Sequence, residues 1–214
     1  MRIPAGPLPP ALPPEGMKGV ASVMDGNGTN SSGGNASRSA SETASVTSGR
    51  SYSESWLKSP LLSSLRSDSA RSSRKIDYLV VHCSDTSPTQ NYTVEMLKAD
   101  HKRRGFGAWP GYHFYIRRDG HVFYTRPISQ MGCHVKGFNA RSIGVCYEGG
   151  RLASKPKIQY GDTRTQEQKR ALQDVLATLR EMYPEARIVG HNELNPGKAC
   201  PCLRQAASVE YAGV

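Results

Sequence analysis

The chain has 214 residues, 28 lysines and arginines against 18 aspartates and glutamates, and 37% hydrophobic residues. No stretch approaches the roughly 18 apolar residues that a membrane-spanning helix needs, which excludes an integral helical membrane protein. Collagen, a coiled coil and a disulfide-dense miniprotein fail on composition.

These averages blend two unlike pieces. Up to Arg74 there are 18 serines, two aromatics (Tyr52 and Trp56) and no cysteine or histidine. The remaining 140 residues hold 14 of the 16 aromatics, all five cysteines and all six histidines. The first 14 residues contain six prolines, and Ser/Gly/Asn-rich sequence follows to about Arg50. Such a segment buries too little apolar surface to offset its ordering entropy. Residues 1–74 are therefore expected to form a disordered low-complexity tail, with Trp56 to Leu62 a transient apolar cluster in a linker. Residues 75–214 suffice for one domain with an ordinary core. Arg2 is followed by prolines and glycines instead of an apolar run of about 7–15 residues, so no secretory signal is read and a cytoplasmic location is expected.

Within residues 75–214, Ile76 to Cys83 is rich in β-branched and aromatic residues and apolar on both faces, which predicts a buried central strand carrying His82 near its end. Thr93 to Arg104 carries helix formers and stops at Gly105. Tyr112 to Ile116 reads as a strand, and Asp119-Gly120 signals a hairpin turn into His121 to Tyr124. Ser142 to Tyr147 is a further strand. Thr165-Gln166-Glu167-Gln168 is a capping-box pattern ahead of Leu172, Val175, Leu176, Leu179 and Met182 at helical spacing, the longest helix. Ala186 to Gly190 is a short strand ending at His191. Strands interleaved with helices predict an α/β domain, a mixed central β-sheet flanked by helices.

The domain carries 20 basic against 13 acidic residues, which suits an anionic partner such as nucleic acid, cell-wall polymer or an acidic membrane surface. The basic residues are scattered without an arginine run or an aromatic-interleaved stripe, so specific nucleic-acid binding is not expected. Five cysteines without a signal suggest a reducing compartment and at least one unpaired thiol.

His82 and His191 each end a predicted strand, and Cys200 follows His191 by nine residues. A loop of that length can turn back so that two imidazoles and a thiolate face one point. Such a set binds zinc with a fourth position left for water, the layout of a catalytic site. The spacing alone equally suits core histidines and buried thiols.

The surrounding residues narrow the choice. Val80-Val81-His82-Cys83-Ser84, Gly111-Tyr112-His113-Phe114, Arg118-Asp119-Gly120, Gly132-Cys133-His134-Val135-Lys136-Gly137-Phe138-Asn139, Ser142-Ile143-Gly144-Val145-Cys146 and Lys198-Ala199-Cys200-Pro201 occur in that order. Together they closely resemble the zinc-dependent N-acetylmuramoyl-L-alanine amidases of the phage-lysozyme and peptidoglycan-recognition-protein superfamily, from about Lys75 to Cys202. The resemblance implies zinc held by His82, His191 and Cys200, a catalytic Tyr112 and a catalytic Lys198. It also implies contact of His134 and Asn139 with substrate, and hydrolysis of the amide between N-acetylmuramic acid and L-alanine. The implied partner is peptidoglycan or its muropeptides, met by a monomer with no specific nucleic acid and no membrane. An endolysin released to the wall on lysis and a wall-recycling enzyme both fit, as does a non-catalytic peptidoglycan-binding module of the same fold.

The segment from His191 to Lys198 is one residue longer than the phage pattern, with Gly197 as the addition, and Cys202 is a rival ligand. Glu193 is a candidate general base whose role stays open. A Cys–His peptidase, with Cys83 or Cys200 as nucleophile, is a third reading. His101 and His121 are expected to be solvated. His113 is expected to face the layer opposite Tyr112, with Cys83 and Cys146 as small core residues.

Overall fold

The computed structural model describes residues 60–153 and 156–214, and of Pro60 the backbone alone. The expectations for residues 1–59, including Trp56, lie outside the described residues. Helix α1 spans Pro60–Ala70, β1 Tyr78–Cys83, α2 Val94–Arg103, β2 Phe114–Ile116 and β3 Val122–Tyr124. A 3-10 turn at Asn139–Arg141 leads into β4, Ser142–Tyr147. After β5 (Arg151–Ala153) and β6 (Gln159–Tyr160) come α3 (Gln166–Met182), β7 (Arg187–Gly190), α4 (His191–Leu194) and α5 (Ala207–Glu210).

The main sheet runs β3-β2-β4-β1-β7. β1 is parallel to both β4 and β7, β2 is parallel to β4, and only the edge strand β3 runs antiparallel to its neighbour. This is the expected mixed sheet, and its central strands are apolar on both faces because both faces are covered. Leu79, Val81, Cys83, Ile143 and Val145 pack with Leu172, Val175, Leu176 and Leu179 of α3 in the main core. On the opposite face Tyr115 and Cys146 meet Tyr92, Val94 and Leu97 at α2, and Val80 meets Val135 and Val189. Helix α3 begins with the expected capping box: the Thr165 hydroxyl accepts from Gln168 N, and the Gln168 side chain accepts from Thr165 N.

The ordered domain starts earlier than the expected boundary at residue 75. Residues 60–70 are helical, and Leu65 is completely buried in the main core with Leu61 and Leu62 packed beside it. Asp68, 4% exposed, accepts from the Tyr124 hydroxyl, from Ser129 Oγ and from Ser129 N, which ties α1 to β3 and the loop after it. Burial pushes the Asp68 carboxyl up, but the hydrogen bonds from Ser129 and Tyr124 outweigh it and hold the group below its ordinary value. One turn of leucines in a serine-rich run is a weak local signal; docking against the sheet orders it.

Candidate metal centre

Register brings the two predicted histidine ligands together. Val81 of β1 pairs with Gly190, the last residue of the parallel strand β7, so the residues that follow, His82 in β1 and His191 at the head of α4, stand side by side. Their ring centroids are 4.7 Å apart. The chain then turns through α4 and a bend in which Lys198 N donates to Asn195 O, and Asn192 N donates to Cys200 O at 2.8 Å. Cys200 Sγ arrives 3.5 Å from His82 Nδ1 and accepts from Cys83 N at 3.3 Å. One donor atom from each of His82, His191 and Cys200 lies within 4.8 Å of the others. The rival Cys202 is elsewhere: its Sγ is 3.4 Å from Cys83 Sγ, and both belong to the main core. Gly197 sits exposed in the bend, its N–H donating to Asn195 Oδ1 at 3.3 Å.

Burial, then the neighbouring His191 and His113, holds His82 well below its ordinary range. Burial and then the Lys198 charge lower His191. Both imidazoles are therefore neutral near pH 7, with a lone pair for a cation. Burial, then the bond with Cys83, pushes the Cys200 thiol up, so it remains protonated until a cation beside it supplies the opposing charge. Two imidazoles and one soft thiolate sulfur are a donor set compatible with zinc, a cation of borderline softness, and leave a fourth position open.

Tyr112 is half-buried, with its ring 5.1 Å from that of His82. Burial, then the thiols of Cys146, Cys200 and Cys83, pushes its phenol well above the ordinary value, so it stays a hydrogen-bond donor. Lys198 is exposed, and its charge reaches His191.

His134 is 9% exposed. Its Nδ1 is 2.9 Å from His82 Nε2, and its Nε2 is 3.3 Å from Ser142 Oγ. The imidazole for which the resemblance implied a substrate contact thus has its Nδ1 directed at a buried candidate ligand, His82. Asn139 Oδ1 accepts from the backbone N–H groups of His134 and Val135, both at 2.9 Å. Glu193 Oε2 accepts from Gly190 N at 2.6 Å and Ser208 N at 3.3 Å, so this carboxylate ties the head of α4 to α5.

Two histidines differ from expectation. His101 is 4% exposed, not solvated: its Nδ1 accepts from Gly111 N at 2.8 Å, and its ring lies 5.2 Å from Tyr112. Its spacing from Val94 and Leu97 on α2 carried that signal, because those residues share the buried helix face. His113 does not sit in a layer away from the site, because residues 111–113 form a bend and the strand starts only at Phe114. It is fully buried, contacts Gln130 O through Nε2, accepts from Gly144 N, and lies 5.6 Å from the His134 ring. His121 is exposed, and Cys83 and Cys146 are core residues, as expected.

Residues 72–202 match the family described as N-acetylmuramoyl-L-alanine amidase. The chain belongs to this amidase family. The amidase is 42% identical over 125 residues to the endolysin of Escherichia phage T7, a match covering 58% of this chain and 80% of that protein. It is 43% identical over 122 residues to the endolysin of Enterobacteria phage K11, covering 56% and 77%. Among solved structures, the endolysine N-acetylmuramoyl-L-alanine amidase LysCS from Clostridium intestinale matches with a TM-score of 0.50 at 27% identity, covering 61% of this chain and 79% of that one. The matched region contains all the candidate site residues and ends at Cys202.

Proposed function

We propose that the amidase hydrolyses the amide between the lactyl group of N-acetylmuramic acid and the L-alanine of peptidoglycan, with zinc held by His82, His191 and Cys200. The convergence of two neutral imidazoles and one thiol within 4.8 Å, beside a protonated tyrosine, supports this reading. Zinc, when bound, supplies Lewis acidity and lowers the pKa of a water to about 7. In the hydrolysis the C–N bond breaks, the water oxygen stays on the lactyl carbonyl carbon as a carboxylate, and the departing L-alanine amine takes a proton. Lys198 places positive charge where the carbonyl oxygen becomes an oxyanion. Tyr112 donates a hydrogen bond at the reacting centre. His134 acts through His82: by engaging Nε2 it keeps Nδ1 turned toward Cys200. Asn139 acts through the His134 backbone. In our reading these two residues support the ligands in place of the substrate contact that the resemblance suggested.

No helix among the described residues is long and apolar enough to cross a membrane. The likeness to phage endolysins supports an enzyme that acts on peptidoglycan when the wall becomes accessible at lysis; that it acts as a monomer is our own reading. The intact donor set argues against a non-catalytic binding module. The Cys200–His82 approach at 3.5 Å also has the geometry of a thiol–imidazole nucleophile pair, and one experiment separates the two. Purified peptidoglycan is digested with and without chelator and the products are read by mass spectrometry. The amidase reading requires stem peptides with new L-alanine amino termini, lost in chelator and restored by zinc. Cleavage that survives chelation but is abolished by thiol alkylation would establish the peptidase, and intact peptidoglycan under zinc-replete conditions would establish a binder.

A further inference from the structure

The loop between β3 and β4 carries His134, and one side chain from outside it gathers both of its ends. Arg74 Nη1 donates to Ile128 O and Gln130 O, Nη2 donates to Asn139 O and Ser142 O, and Nε donates to Ala140 O, at 2.5 to 3.2 Å. A guanidinium has five N–H donors in a planar fork, so all of its hydrogen-bonding capacity meets five backbone carbonyls of one segment. Two of those carbonyls precede His134 and three follow it. Ser142 also supplies the hydroxyl that meets His134 Nε2.

The space left for the His134 ring is narrow. A Cβ added at Gly132 would lie 2.4 Å from its Cδ2, and one at Gly144 would lie 2.8 Å from its Cγ. The ring is thus held between the loop backbone and β4, and its bond to His82 at 2.9 Å depends on where the loop stands relative to the sheet. Arg74 sets that placement, because its carbonyl partners are the loop's two ends.

We propose that Arg74 is a positioning residue of the amidase centre: by clamping five carbonyls of residues 128–142 it holds His134 against His82 and so fixes the orientation of a metal ligand. This rests on the reading above that His134 supports His82. A partner of this kind affects metal affinity by about 10- to 100-fold when lost. Lysine cannot replace it, because one ammonium with three donors does not span carbonyls on both sides of a planar fork.

The test measures zinc affinity of the full chain by competition with a chromophoric chelator, alongside muropeptide hydrolysis. Arg74→Ala, Arg74→Lys and His134→Ala are made singly, and each Arg74 variant is combined with His134→Ala. His134→Ala and both Arg74 variants are expected to weaken zinc binding at least about tenfold, with kcat reduced more than KM is raised. In the His134→Ala background the Arg74 substitutions are expected to add less than about twofold, because their effect passes through the missing ring. Equal losses in both backgrounds would show a general structural role and overturn the proposal. Wild-type zinc affinity in the Arg74 variants, with His134→Ala weakened, sinks the Arg74 inference alone. Wild-type affinity in His134→Ala removes its premise. If Arg74→Ala does not fold, Arg74→Lys is judged by the same criteria. Absence of hydrolysis by the wild-type protein counts against the proposed activity and leaves the zinc comparison intact.

Discussion

Cys200 and Cys202 are two residues apart and of one chemistry, yet they face different surroundings. Cys200 reaches His82 Nδ1, whereas Cys202 meets Cys83 within the main core. Cys200→Ser is therefore expected to lose bound zinc and hydrolysis together, while Cys202→Ser keeps zinc at about one per chain; metal analysis of the purified proteins checks both. Lys198 differs from the ligands: its side chain is exposed and its charge reaches His191, and the proposed role for its ammonium is electrostatic. Lys198→Ala is expected to retain zinc and lose kcat by about 100-fold or more, the size of effect seen when an oxyanion partner is removed. Its retention of zinc distinguishes a transition-state role from a ligand role, and steady-state kinetics beside metal analysis reads the difference.

Helix α1 decides where the folding unit begins. Leu65 is completely buried, so Leu65→Ala is expected to destabilise the protein by about 2–5 kcal/mol, measured by urea unfolding. A fragment of residues 75–214 lacks that leucine, the Asp68 bonds to Tyr124 and Ser129, and the Arg74 clamp. It is expected to unfold at a lower denaturant concentration than a fragment of residues 60–214. Equal midpoints would show that α1 adds nothing to the domain. The long elements were legible because pattern and packing agree: β4 runs from Ser142 to Tyr147 and α3 follows its capping box. The strand expected from Tyr112 was less so. Alternation placed His113 away from the site, but a bend at 111–113 cancels alternation and turns both rings toward the histidine cluster.

At the scale of the whole molecule, buried neutral histidines link folding to pH. Burial, then the Arg104 charge, lowers His101 to about 4, and burial lowers His113 to about 3 despite its bond to Gln130 O. An unfolded histidine titrates near about 6.5, so between that value and the lowered ones the unfolded chain binds more protons. Stability from these two groups is thus complete above about pH 6.5 and declines as pH falls toward 4 and then 3. The loss at pH 5 is expected to be on the order of 2 kcal/mol per histidine, at about 1.4 kcal/mol per pH unit. Urea unfolding of the metal-free protein at pH 7.5 and pH 5 reads the sum over all the histidines lowered by burial, His82, His134 and His191 included, so the His101 share is the difference from a His101 variant. His101→Gln is expected to show the smaller pH dependence, and equal dependence would sink the assignment to His101. Chelation at pH 7.5 is expected to lower the Tm of the zinc-loaded protein, since a cation bound only by the folded state stabilises that state.

In the sequence by itself, local pattern sufficed for β1, β4, β7, α2, α3 and the helix cap at Thr165, where periodicity and capping chemistry agree. His82, His191 and Cys200 were singled out by the resemblance to a family, since spacing alone left core histidines and the rival Cys202 open. The sequence did not place α1 in the domain, because a few leucines among serines become ordered only against a surface that the rest of the chain builds. It did not find Arg74 either, since five carbonyls scattered over residues 128–142 form a binding partner only after the loop closes. Nor could it find the bond between His134 and His82, for the same cause. Whether an imidazole faces substrate or the back of His82 depends on how a loop lies over a sheet, and that is set by packing between segments distant in the chain.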